Sequence, residues 1–258
     1  MSTINLGSLT STPQLGSLHQ LSIAEPTDVF QFSLASTRNI NLALTHISTG
    51  DDAGLKLYRD SNNNGVLDSS DELVKSSSLP KNHDDSINVA AQTAGTYFAE
   101  VSRDAVGSSG DVSYNLQLSS TPSSPTTSPS NLLPTEFEVG SLNNLPDQYY
   151  SNSEAVGNND TADVYHFTLT NNGYGYGYGL DLKLTGLSSD ADVRLIRDAN
   201  SNGIVDRGEE ISRSALLGTT PESLNTETLG TGDYFVQVYQ YSGDTNYQLS
   251  MGVSPIIG

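Results

Sequence analysis

Two twelve-residue stretches hold the residues best suited to chemistry. The first reads Asp60-Ser61-Asn62-Asn63-Asn64-Gly65-Val66-Leu67-Asp68-Ser69-Ser70-Asp71. The second reads Asp198-Ala199-Asn200-Ser201-Asn202-Gly203-Ile204-Val205-Asp206-Arg207-Gly208-Glu209. In both, side-chain oxygens stand at positions 1, 3, 5 and 9, a glycine at 6 and a carboxylate at 12. That spacing suits a hard cation, because calcium takes about six to eight oxygens and alternate residues of a tight loop can all point inward. The expected ligands are Asp60, Asn62, Asn64, Asp68 and Asp71 in the first loop, and Asp198, Asn200, Asn202, Asp206 and Glu209 in the second. Val66 and Ile204, at position 7, need offer only backbone carbonyls, and Gly65 and Gly203 allow the sharp turn. Asn, Asp and Gly are also ordinary turn residues, so a plain hairpin can be spelled this way. The recurrence of a six-position spacing favours calcium, which is the cofactor expected.

Little else in the chain could do chemistry. There are no cysteines, which excludes disulfides, thiol catalysis and thiolate metal sites. His19, His46, His83 and His166 have no zinc-type spacing, and no Gly-x-Ser-x-Gly, P-loop or dinucleotide fingerprint occurs. The chain is therefore read as non-catalytic. Asp190-Ala191-Asp192, loosely matched by Asp51-Asp52, is a weaker acidic candidate that reads more simply as a solvated strand entry. A second class of function is ligand binding by aromatic rings. Tyr174, Tyr176 and Tyr178 alternate with glycines, and Tyr239 and Tyr241 lie near a strand end. Such rings could stack on sugars or pack against a protein partner. The simpler reading is that they extend a strand and cover a sheet edge.

The elements that must carry these loops follow from comparing the chain with itself. Asn5-Leu6-Gly7-Ser8-Leu9 recurs as Glu138-Val139-Gly140-Ser141-Leu142, and Asp28-Val29-Phe30-Gln31-Phe32 as Asp163-Val164-Tyr165-His166-Phe167. Leu55-Lys56-Leu57-Tyr58-Arg59-Asp60 recurs as Val193-Arg194-Leu195-Ile196-Arg197-Asp198, just ahead of each loop. Gly95-Thr96-Tyr97-Phe98 recurs as Gly232-Asp233-Tyr234-Phe235, and Tyr114-Asn115-Leu116 as Tyr247-Gln248-Leu249. Five segments in one order mean a duplication. The copies are placed at 3–119 and 136–254, joined by a Ser/Thr/Pro-rich linker at 120–135 that contains Pro122, Pro125, Pro129 and Pro134.

Within each copy apolar residues alternate, as in Phe30 and Phe32, Leu182 and Leu184, or Tyr234, Val236 and Val238. Period two marks strands with one buried face. The expected fold is all-β: two tandem antiparallel β-sandwiches of jelly-roll or Greek-key type, with roughly seven or eight strands each. The second loop is expected to leave its strand into at most a short helix, at Glu209-Glu210-Ile211-Ser212.

The ordered set of repeated words resembles the bacterial pre-peptidase C-terminal domain, a β-sandwich attached to secreted peptidases and other exported proteins. The version with Arg-Asp-x-Asn-x-Asn-Gly in its middle resembles those of cyanobacterial exported proteins. The loops themselves are similar to EF-hand loops, with Asp71 at position 12 of the first as in dockerin-like loops. The resemblance implies an accessory role: adhesion, binding of a polysaccharide or matrix protein, or service to a secreted peptidase. It also implies an extracellular or cell-surface location.

The balance of 30 acidic against 11 basic residues, a net charge of −19, repels nucleic acid and anionic lipid and attracts cations. Met1 to Gln20 lack the basic patch and apolar run of a signal peptide, and no apolar stretch is long enough to insert in a membrane. A monomer is expected. Calcium-poor cytosol would leave the acidic loops repelling internally, and millimolar calcium outside would complete the fold.

Overall fold

A computed structural model describes residues 3–15, 18–105, 107, 110–123, 129–142, 149–171 and 177–256. The chain divides into two compact units, 1–124 with 130–134 and 125–129 with 135–258. Every regular element among the described residues is a strand. In the first unit these are β1 (Thr3–Ser8), β2 (Gln14–Leu15), β3 (His19–Leu21), β4 (Thr27–Leu34), β5 (Arg38–Thr45), β6 (Asp52–Arg59), β7 (Glu72–Ser77), β8 (Asp85–Gln92), β9 (Gly95–Ala105) and β10 (Val112–Pro122). The second unit has β11 (Phe137–Ser141), β12 (Tyr149–Val156), β13 (Ala162–Leu169), β14 (Tyr178–Thr185), β15 (Asp190–Arg197), β16 (Glu210–Ser214), β17 (Glu222–Leu229), β18 (Gly232–Ser242) and β19 (Thr245–Pro255).

The first unit's sheets run β1-β4-β9-β6-β7 and β2-β10-β5-β8, with β3 also pairing β10. The second unit's run β11-β13-β18-β15-β16 and β12-β19-β14-β17. The two orders coincide once β2 and β3 are taken together as the counterpart of β12. Even the irregularities recur. Bulges interrupt β1 between Asn5 and Gly7 and β11 between Glu138 and Gly140, where Gly7 and Gly140 take φ of 74° and 84°. A bulge is one extra residue that bends the strand, and positive φ there is cheap only for glycine.

Each unit closes two sheets over its own core. In the first, Phe30, Phe32, Leu42, Leu44, Leu55, Leu57, Tyr97, Ala99 and Val101 pack together. In the second, Tyr165, Phe167, Leu182, Leu184, Val193, Leu195, Tyr234, Val236 and Val238 do the same. These are the alternating positions of the repeated words, so the period-two pattern specifies the core face directly. Phe32 stacks on Tyr97 with ring centroids 5.9 Å apart, and Phe167 on Tyr234 at 5.4 Å.

The expected all-β pair of antiparallel sandwiches holds, one pairing in each unit excepted: β1 with β4 and β11 with β13 run parallel. Three finer expectations need correction. The units have ten and nine strands, because the repeated words open with a short edge strand and the stretch opposite β10 is broken in two. The second loop exits into strand β16, whose Glu210 to Ser214 pair with β15. Ile211 is β-branched and favours an extended backbone, and β15 offers the segment an edge to pair with. Finally, β10 extends to Pro122, and residues 130–134 belong with the first unit. There Asn131 Nδ2 donates to the Ser11 carbonyl at 2.8 Å, and Asn131 Oδ1 accepts from Ser119 Oγ at 2.6 Å.

Candidate metal centre

Both twelve-residue stretches are hairpin connections, the first between β6 and β7 and the second between β15 and β16. The chain must reverse between two paired strands without helical support, so the loop residues supply their own scaffold. Position 1 is buried in both loops, with Asp60 4 % and Asp198 7 % exposed. Asp60 accepts from the N–H groups of Asn64 (3.2 Å) and Gly65 (3.0 Å), and Asp198 from those of Asn202 (3.2 Å) and Gly203 (2.9 Å). This wrapping needs left-handed backbone at positions 4 and 6. Asn63 and Ser201 have φ of 55° and 56°, and Gly65 and Gly203 both have 73°. Asparagine tolerates that region and glycine is indifferent to it, which accounts for Asn63, Gly65 and Gly203, whereas Ser201 adopts it without that advantage.

The position-12 carboxylate straps the other end. Asp71 accepts from the N–H of Ser61 and of Asp68, both at 3.0 Å. Glu209 accepts from Ala199 and Asp206, both at 2.9 Å. Positions 3, 5 and 9 meet between these straps. Asp68 Oδ2 takes the side-chain amides of Asn62 (3.2 Å) and Asn64 (2.7 Å), and Asp206 Oδ2 those of Asn200 (2.8 Å) and Asn202 (2.9 Å). An Asn amide that turns half a revolution exchanges its N–H₂ for a carbonyl oxygen. The two asparagines of each loop can therefore pass from donating to Asp68 or Asp206 to facing a cation with oxygen, beside the aspartate's own. This residue set fits calcium. In the first loop, hydrogen bonds from the Ser70 hydroxyl and N–H, then from the amides of Asn64 and Asn62, hold the Asp68 carboxyl well below the usual carboxylate range.

The three carboxylates of a loop ring it without meeting. Among the described residues, the three-acid group whose oxygens lie within 4.8 Å of one another is Glu136, Asp160 and Asp163. Glu136 Oε2 accepts from the Val164 N–H at 2.7 Å. Asp163 accepts from Tyr247 Oη at 2.5 Å, and Tyr247 and Tyr165 hydroxyls lie 2.7 Å apart. Burial pushes the Asp163 carboxyl up, and Asp160 and Glu154 nearby push it further. Sequence reasoning missed this group because its members are dispersed over 136–163. Among the described residues the first unit shows no such group: Asp28 is held by Tyr114 at 2.5 Å, but Thr3 stands where the second unit has Glu136.

The other acids singled out in the sequence organise turns. Asp51, Asp190 and Asp192 are buried rather than solvated strand entries. Asp51 accepts from the Gly107 N–H at 2.5 Å and from Ser48 Oγ, and Asp190 from the Gly218 N–H at 2.8 Å. Short loops beside the sheet ends leave backbone donors that these carboxylates satisfy. Burial and the charges of Asp190 and Glu222 push Asp192 up to about 7. Asp85 and Glu222, not anticipated, are equivalent clamps. Asp85 takes Ser77 Oγ (2.7 Å) and the Leu79 N–H (2.8 Å), and Glu222 takes Ser214 Oγ and the Leu216 N–H (2.7 Å). Burial pushes Asp85 up to about 6.

Of the aromatic candidates, Tyr178 and Tyr239 are buried and present no ring to solvent. Tyr174 and Tyr176 lie outside the described residues. Tyr178 is 1 % exposed, because it shares the inward face of β14 with Leu180, Leu182 and Leu184, and its hydroxyl donates to the Thr170 carbonyl. Tyr239 is also 1 % exposed, with the Arg213 guanidinium 5.8 Å from its ring centroid. Tyr241 is half-buried at the end of β18. Alternation placed two of these rings on buried faces, where no sugar can stack.

No curated protein matches the sequence. The pre-peptidase C-terminal domain of collagenase from Bacillus anthracis is similar, at 18 % identity over 47 % of this chain and 97 % of that one, with a TM-score of 0.33. The PBSX exported protein XepA is similar at 10 % identity over 94 % of this chain and 86 % of that one, with a TM-score of 0.32. Residues 26–103, which include the first loop, match the family model of the bacterial pre-peptidase C-terminal domain, and the first unit contains such a domain.

Proposed function

We propose that the chain is a non-catalytic, calcium-binding accessory module of an exported protein, in which calcium completes two hairpin loops and stabilises the fold outside the cell. The observation that carries this reading is the identity of the two loop scaffolds. Each holds position 1 on the N–H groups of positions 5 and 6, holds position 12 on those of positions 2 and 9, and gathers side chains 3, 5 and 9 at one point. In each loop the side chains of positions 3, 5 and 9 converge, two asparagines on one aspartate, which is where a dication could take an oxygen from all three.

The shared strand order and bulges support reading the second unit as a second domain of the same family. A pre-peptidase C-terminal domain serves as an accessory part of secreted peptidases, which supports export and the absence of chemistry of its own. Its partners would then be calcium and the catalytic or matrix component it accompanies. The affinity expected is that of extracellular modules, about 10⁻⁴ to 10⁻³ M. Equilibrium dialysis against calcium tests the reading: Asp60→Ala and Asp198→Ala should each lower the bound calcium by one ion per chain. Unchanged binding in both variants would rule the loops out as calcium sites.

A further inference from the structure

We infer that Gln31 is a positioning residue for the first calcium loop and ties its affinity to the docking of the N-terminal strand β1, a coupling the second loop lacks; the inference rests on the calcium reading above. Gln31 lies on β4, between β1 and the first loop. Its Nε2 donates to the Gly65 carbonyl at 3.2 Å, and its Oε1 accepts from Asn5 Nδ2 at 3.0 Å. Asn5 in turn accepts from the Gly7 N–H at 2.8 Å, closing the bulge of β1. One side-chain amide thus spends its donor on the loop and its acceptor on the edge strand.

The Gly65 carbonyl shares a rigid peptide plane with the Val66 N–H. That N–H donates to Asn64 Oδ1 at 2.7 Å. Holding the carbonyl therefore fixes the plane that begins the residue whose backbone carbonyl is the position-7 ligand. Little else steadies that plane, because Val66 is 59 % exposed. The second loop solves the same problem by packing: Ile204 is 9 % exposed, and its N–H donates to Asn202 Oδ1 at 3.0 Å. The residue in the place of Gln31 there is His166, and both its ring nitrogens face elsewhere. Nδ1 lies 2.8 Å from Glu138 and Nε2 3.5 Å from Asp233. Among the described residues, no hydrogen bond joins His166 to the second loop.

Coupling of this kind is reciprocal. Calcium at the first loop should slow opening of β1, and loosening β1 should weaken calcium at the first loop. Amide cross-peaks of Gly65 and Gly203, followed in the full chain during a calcium titration, report the two loops separately. Gln31→Ala should weaken binding at Gly65 by roughly 2- to 10-fold, the worth of one hydrogen bond, and leave Gly203 unchanged. Asn5→Ala, which does not touch the loop, should also weaken Gly65, by about 2-fold. Hydrogen exchange of the β1 amides should slow with calcium in the natural chain and lose that response in Gln31→Ala. Unchanged affinity at Gly65 in both variants, or equal weakening at Gly65 and Gly203, would overturn the inference while leaving the calcium reading intact. Cross-peaks that ignore calcium in the natural chain would overturn both.

Discussion

The two loops hang from equivalent strands and share a hydrogen-bond scheme, yet they are steadied by different means. In the second, position 7 is packed inward and Glu209 at position 12 is 8 % exposed. In the first, Val66 stands in solvent, the shorter Asp71 still reaches both backbone donors, and Gln31 braces the glycine carbonyl from outside. The hydrogen-bond pattern therefore belongs to the twelve residues themselves, while the rigidity of the loop is supplied by whichever neighbour the frame offers. Duplicated loops can keep one scaffold and diverge in how tightly they are held.

That comparison can be broken first at the frame. Phe32→Ala and Phe167→Ala remove equivalent stacked rings, and each should cost about 3–5 kcal/mol in chemical denaturation. A large difference between them would mean the two cores are not equivalent. Next come the loop anchors. Asp60→Ala and Asp198→Ala should each abolish the calcium response of their own loop and strip two backbone N–H groups of an acceptor, costing about 1–3 kcal/mol. Calorimetric unfolding in calcium should show Asp198→Ala, in the more buried loop, as the costlier.

A third test uses the turn clamps in chelator. Burial raises the Asp85 pKa to about 6, whereas in the unfolded chain it returns to about 3.9. Between those values the folded state holds the extra proton, so the Asp85 contribution to stability is full below about pH 4 and is lost as pH rises through 6. Asp85→Asn should flatten this slope in urea unfolding measured across the window. Asp68, held low, acts oppositely, with its contribution present at neutral pH and lost on strong acidification. The smallest effects sharpen the loop contrast itself. Ile204→Val should cost about 0.5–1.5 kcal/mol, and Val66→Ala should stay within about 0.5 kcal/mol.

Much of this was legible in the residues. The repeated words marked the strands, and Phe30, Phe32, Tyr97 and their counterparts are core because alternation dictates which face is buried. The loop scaffolds could be read because the residues that build each one lie within twelve positions. What was not legible depended on partners distant in the chain. Nothing local in Thr3–Ser8 says that it will pair in parallel with β4. Glu136 meets Asp160 and Asp163 only once β11 is laid against β13. Tyr178 extends strand β14, as the simpler reading of the tyrosine–glycine alternation expected, but its period-two relation to Leu180, Leu182 and Leu184 turns it into the core. Asp85 and Glu222 carry no local mark of their role, which depends on the Leu79 and Leu216 N–H groups in the turns before β8 and β17.

The most direct test of the central claim is thermal unfolding in chelator and again in about 2 mM calcium. With affinities of about 10⁻⁴ to 10⁻³ M, mass action should add ~0.6–2 kcal/mol per loop, which raises Tm by several degrees. Asp60→Ala should remove the rise of the first unit's transition, Asp198→Ala that of the second, and the double variant both. An identical Tm with and without calcium would contradict the account and return both loops to ordinary turns.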